Sequence, residues 1–178
     1  MNLTEAASSV VAALKDAAAV TNPAQNRKKL KKKLEIVKRK SEFPVKIREA
    51  IEDAIEESPQ SFLRTIESKL LDLLWDNFKA WPIDATKGLN CDRDTEAEVE
   101  VAIRFFPNVL SYDRYHGGYY PIYAQFRNFG GDENLKAASF IPLFAKLGIE
   151  LGQFEEEERG GLTGRRNMLK ELAVNAYC

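Results

Sequence analysis

Cysteine and histidine are nearly missing from this chain, two and one in 178 residues. Cys91 and Cys178 are too few for a disulfide framework, and nothing stands at the spacing that would complete a zinc site. A reducing compartment is therefore the default expectation. Long apolar runs are also lacking. None approaches the roughly 20 residues of a membrane span. The opening Met1-Asn2-Leu3-Thr4-Glu5 has no basic segment. The early apolar run at 10–14 is shorter than a signal-peptide core of about 7–15 residues. Glu5 and Asp16 argue against an acid-poor transit peptide. A soluble, intracellular protein, cytoplasmic or nuclear, is expected. No charge sign dominates either: 26 basic and 27 acidic residues leave a net −1. Overall charge thus selects no partner.

What is present is ordinary globular material, 44% hydrophobic and 30% charged, enough to bury a core without staples. The apolar positions recur at helical spacing. Leu3, Ala7, Val10, Leu14 and Ala18 predict a helix over 3–20. Pro23 suits the first turn of a second helix over 24–40, with Leu30, Leu34 and Val37 on one face. Ser41-Glu42-Phe43-Pro44 breaks it. Ile47, Ala50, Ile51, Ala54 and Ile55 predict a third helix over 45–57, closed by Ser58-Pro59. Phe62, Ile66, Leu70, Leu74 and Phe78 fall four apart on a fourth helix over 60–79, widened by Leu63, Leu71, Leu73 and Trp75 until most of its sides should be buried. No stretch alternates long enough for a strand. Val99 and Val101 come nearest, but their flanks continue a helical stripe. An all-α fold is expected.

The second half contains an internal echo. Trp81-Pro82-Ile83-Asp84-Ala85 recurs as Tyr120-Pro121-Ile122-Tyr123-Ala124, 39 residues later. Each copy precedes a longer helix, predicted at about 95–106 and 135–147, with Gly148 as a left-handed cap to the second. A final helix is expected over 167–177. Units of this size cannot bury their apolar sides alone and must stack. The competing account is a pair of unrelated Pro-Ile turns in a helical bundle.

Asp113, Gly118, Pro121, Ile122 and Gly148 sit where an ankyrin repeat carries its turn residues and closing glycine, so the segment 113–151 resembles such a repeat. Arg104-Phe105-Phe106-Pro107-Asn108-Val109-Leu110-Ser111, Ser139-Phe140-Ile141-Pro142-Leu143-Phe144 and Glu158-Arg159-Gly160-Gly161-Leu162 are similar to divergent ankyrin-like proteins expanded in some unicellular algae. The likeness spans about 70–175. It leaves the first 60 residues uncovered, where periodicity predicts a helical arm over 1–58; for 59–178 it implies a short ankyrin-like helix-pair stack with capping helices, and protein–protein binding rather than catalysis. Tyr120 and Tyr123 replace the usual Thr and His, so ring packing would stand in for the hydrogen bonds between turns.

Two polar features are candidates for function. Tyr112, Arg114, Tyr115, His116 and Tyr119 cluster on the finger loop that the likeness makes a binding face, and Tyr and Arg are common interface anchors. Inter-repeat packing by the same rings is the other reading. His116 lacks a nucleophile at any recognisable spacing. The second feature is the run Arg27, Lys28, Lys29, Lys31, Lys32, Lys33, Lys38, Arg39 and Lys40. With Glu35 it sums to +8, so the rest of the chain sums to −9. It reads as a nucleic-acid or nuclear-import patch, as a basic amphipathic helix for anionic membranes or partner proteins, or as a solvated face docked through Leu30, Leu34 and Val37 beside Glu49, Glu52, Asp53, Glu56 and Glu57. No aromatic rings interleave with the lysines, which disfavours single-stranded nucleic acid. Glu155-Glu156-Glu157-Glu158 lacks calcium-loop spacing, and Gly160-Gly161-Leu162-Thr163-Gly164-Arg165-Arg166 lacks the ending of a phosphate loop. No cofactor, metal or catalytic constellation is expected.

Overall fold

The computed structural model describes residues 23–79, 88–112, 121 and 136–153. The expected helices over 3–20 and 167–177 and the first aromatic-Pro-Ile segment lie outside them. The protein is all-α: every regular element among the described residues is helical. Four helical predictions meet observed elements: α1 is Pro23–Lys38, α2 is Val45–Asp53, α3 is Pro59–Lys79 and α4 is Glu96–Phe105. The last helix described, α5, is Ile141–Glu150. The chain divides into two compact units, Met1–Leu70 and Leu71–Cys178.

In the first unit, a 3₁₀ turn, Lys40–Glu42, follows α1, and Phe43 after it is fully buried. Pro44 then opens α2: its carbonyl accepts from the N–H groups of Ile47 (2.9 Å) and Arg48 (3.0 Å). Proline disfavours helix in the residue before it, so the chain turns here rather than running on. Ile47, Ala50 and Ile51 line the buried side of α2. The helix stops at Asp53, about a turn short of the predicted end. Ala54 and Ile55 stay buried beyond it. Ser58 restarts the chain, its Oγ accepting from the Ser61 N–H at 3.3 Å, with Pro59 as first residue of α3. Along the part of α3 in this unit, Phe62, Ile66 and Leu70 are fully buried, and Leu74, counted with the second unit, continues the same row. Of the four residues expected to widen this stripe, Leu73 and Trp75 are buried and Leu63 and Leu71 are half-buried.

In the second unit, the loop before α4 is tied by polar groups. The Asp92 N–H donates to Asn90 Oδ1 (2.8 Å), and the Asn90 N–H donates to Asp94 Oδ2 (3.1 Å). Arg93 folds back onto both carboxylate oxygens of the buried Asp94 and onto the Gly88 carbonyl. Thr95 and Glu98 then form a reciprocal capping box, satisfying two N–H groups that a helix start otherwise leaves open. Val99, Ala102 and Ile103 face inward. A 3₁₀ segment, Pro107–Leu110, follows with Val109 and Leu110 buried, and it touches both α4 and α5, which also pack on each other.

α5 corrects two expectations. It begins at Ile141, not near 135. Residues 136–138 are helical, but the chain turns at 139–140. Pro142 has no N–H to continue the ladder, so it sits in the first turn of a new helix. α4 and α5 therefore start 45 residues apart, rather than the expected 40 or so. The terminating glycine is Gly152, with φ 65°; Gly148 is buried inside α5. The Gly152 N–H donates to the Ile149 carbonyl (3.1 Å) and the Gln153 N–H to the Gly148 carbonyl (2.8 Å). That is the paired closure of a Schellman motif. A Cβ at this left-handed position costs about 1–2 kcal/mol. Gly152→Ala should lower stability by about 1 kcal/mol in urea melts, and Gly152→Asn by less, since Asn tolerates the conformation. Equal stability of all three proteins would contradict this cap.

Candidate functional site

The basic run is the best-described candidate, and its nine cations do not share one environment. α1 turns one side inward through Leu30, Ile36 and Val37. Lys33 lies on that same side, three residues from Leu30 and four from Val37. It is fully buried, 0% exposed. Its Nζ donates to the carbonyls of Ile55 (2.8 Å) and Glu57 (2.6 Å), and lies 4.8 Å from the centre of the Phe62 ring. Burial pushes its pKa down, and the negative charges of Glu56 and Glu57 oppose that shift. An ammonium inside a protein is tolerable only when its protons find acceptors. Here they find carbonyls left over where α2 ends, and a ring face adds attraction. Lys33 is therefore an internal tie and not part of an exposed patch.

Other members are engaged at the surface. Lys29 donates to Gln60 Oε1 at 2.7 Å. Lys38 lies 3.9 Å from Glu35. Arg39 Nε donates to Glu42 Oε2 at 2.9 Å, and Lys40 pairs with Glu52 at 2.8 Å. These hydrogen-bonded partners hold the Glu42 and Glu52 carboxyls below the usual range. Of the five downstream acids named as possible neighbours, Glu56 and Glu57 act on Lys33 of α1, and Glu52 on Lys40 in the 3₁₀ turn that follows. Lys32 is half-buried; desolvation lowers its pKa most, with Glu67 opposing and Lys28 reinforcing the shift. Arg27, Lys28 and Lys31 are exposed.

The second candidate is only partly described. Tyr112 is 49% exposed. Arg114, Tyr115, His116 and Tyr119 lie outside the described residues, as does the acidic run at 155–158. Tyr112 follows Ser111, whose Oγ donates to Gln153 Oε1 at 2.8 Å, so this end of the 3₁₀ segment is fastened to the close of α5. Ile149, in the last turn of α5, is the other large apolar side chain left exposed among the described residues, at 55%. A guanidinium spans the same helices: Arg104 Nε donates to Glu100 Oε1 (2.7 Å) and its Nη2 to Glu150 Oε2 (2.9 Å). These bonds raise the Arg104 pKa and lower that of Glu150.

Sequence reasoning missed the anchoring role of Lys33, although one signal was available. A lysine three from Leu30 and four from Val37 stands inside the apolar stripe, where a solvated residue would not. Among the described residues, no group of three or more His, Cys, Asp or Glu side chains is placed to hold a metal ion. Cys91 is exposed and unpaired. No helix among them is long and apolar enough to cross a membrane.

Lys33→Met keeps the apolar stem and removes the donor, leaving two carbonyls to find water. We expect it to cost about 2 kcal/mol near neutral pH, in keeping with unsatisfied buried groups. The pH dependence has a definite sign. The folded Lys33 pKa lies below the ordinary value of 10.5, so between the two values the unfolded chain binds the extra proton. Wild-type stability relative to Lys33→Met should then rise as pH climbs toward that ordinary value. Urea melts near pH 7 and pH 10 check this; a gap that narrows at alkaline pH would count against the buried-ammonium account.

With this geometry in hand, comparison with known proteins adds no relative: no family model, no curated protein and no solved structure matches the chain.

Proposed function

We propose that the protein is a non-catalytic protein-recognition module of ankyrin-like type. The observation that carries the reading is the packing of α4 on α5 through the 3₁₀ segment that touches both, with Tyr112 left half exposed at its end. Helical units that bury each other's apolar sides leave their connecting segments free for a partner. Val99, Ile103, Phe144 and Leu147 are fully buried in this unit, and none of them is available for binding. The Ser111–Gln153 hydrogen bond and the Schellman closure hold the backbone beside Tyr112. A rigid aromatic side chain on a fastened backbone loses little entropy on binding, and that is why tyrosines recur as interface anchors.

The expected partner is another protein, engaged through Tyr112 together with Arg114, Tyr115, His116 and Tyr119 of the adjoining sequence. Affinity capture with quantitative mass spectrometry tests this. Tyr112→Ala combined with Tyr115→Ala should reduce recovery of a specific partner by about 30-fold, as expected for losing roughly 2 kcal/mol of anchor energy. The melting temperature of the single variant Tyr112→Ala should stay close to that of wild type, because Tyr112 is half exposed. Identical partner recovery from the variant and wild type would overturn the reading.

A further inference from the structure

We propose that the outward side of α1 is a docking surface for the phosphate backbone of double-stranded nucleic acid. The proposal goes beyond the protein-recognition reading and does not rest on it. Arg27, Lys31 and Lys38 are exposed and recur at i, i+4 and i+11, so they form one line along the helix, about 16 Å long at 1.5 Å per residue. Lys28 is exposed on the flank of this line. Glu35 is the one acid that α1 itself carries; it lies 3.9 Å from Lys38 and also acts on Arg39. Four cations against one carboxylate leave the surface strongly positive in a chain whose net charge is −1.

The chemistry of the remaining sides of α1 selects the partner. An interfacial membrane helix must have its apolar side free to enter lipid. Here Leu30, Ile36 and Val37 are already buried in protein, and no aromatic residue occurs in α1. Single-stranded nucleic acid is held largely by stacking on aromatic rings, and this helix offers none. A duplex backbone needs neither: it presents a dense line of phosphates that cations engage by releasing counterions. The Lys33 tie fixes which way α1 faces, so the cations are aligned before contact. Contacts of this kind carry no sequence information, so the surface positions a duplex without reading it.

The test uses the full chain and a fluorescently labelled DNA duplex of about 20 base pairs, followed by anisotropy at about 50 to 200 mM KCl. Four phosphate contacts give a slope of log K against log salt of about −3.6, and about 100-fold weaker binding across that range. Arg27→Gln with Lys31→Gln should halve the slope and weaken binding at least ten-fold at the lower salt. Arg64→Gln with Lys69→Gln, which neutralises two exposed cations of α3, should change affinity less than two-fold. Circular dichroism melts verify folding. If the first pair unfolds, Lys28→Gln with Lys38→Gln is its substitute and should show the same loss. Tyr112→Ala should leave duplex binding unchanged, which separates this proposal from the previous one. Absence of duplex binding at 50 mM KCl, equal loss in the α3 variant, or preferential binding to vesicles of phosphatidylcholine with about 30% phosphatidylserine would overturn the proposal.

Discussion

A single buried amine sets the arrangement of the first unit. Placing an ammonium in an apolar interior costs several kcal/mol unless its protons are satisfied, so Lys33 accepts few positions. The carbonyls of Ile55 and Glu57 and the ring of Phe62 supply one. Three chain segments are thereby linked: the middle of α1, the turn after α2 and the first turn of α3. Rotating α1 by one residue would swing Lys33 away from both carbonyls and move Leu30, Ile36 and Val37 off their buried side. The apolar contacts supply the bulk of the stabilisation, while the amine removes the freedom to roll. The same constraint keeps Arg27, Lys31 and Lys38 on the opposite side.

The second unit solves the same problem with different groups. Its seam is apolar, running through Val99, Ile103, Phe144 and Leu147, and is not directional by itself. Direction comes from polar contacts around its edge. Arg104 bridges Glu100 and Glu150, Ser111 reaches Gln153, and Lys136 pairs with Asp92 at 2.7 Å. Exposed pairs of this sort add little energy, but each is satisfied by one relative placement of the segments. The buried Asp94, gripped by Arg93 and the Asn90 N–H, does the corresponding work inside the loop that leads into α4.

How far the helices were legible depended on local signals. α3 was readable because Phe62, Ile66, Leu70 and Leu74 repeat every fourth residue and Ser58-Pro59 marks the start. α4 was readable because its apolar stripe outweighed the brief alternation at Val99 and Val101. The end of α2 was not readable: Ala54 and Ile55 continue the stripe, yet the helix stops at Asp53. The carbonyls freed beyond it bond to a side chain 22 to 24 residues earlier. α5 was misplaced because the apolar pattern runs through 135–147 without showing that Pro142 must occupy a first turn. Once the start moved, the cap moved from Gly148 to Gly152.

The candidate surfaces divide along the same line. Composition and periodicity alone established an all-α chain with a basic segment near 27–40, since these depend on neighbours within a few residues. Spacing set Lys33 apart, inside the apolar stripe, but could not rank the other eight cations of that segment, which look alike as charges on a helix. Only the tertiary packing decided that the Lys33 amine meets the carbonyls of Ile55 and Glu57, that Lys40 is matched by Glu52, and that Arg27, Lys28 and Lys31 face solvent. The reason is that a lysine's environment is set by whatever the distant chain brings to its tip, and that information is absent from its own stretch of sequence.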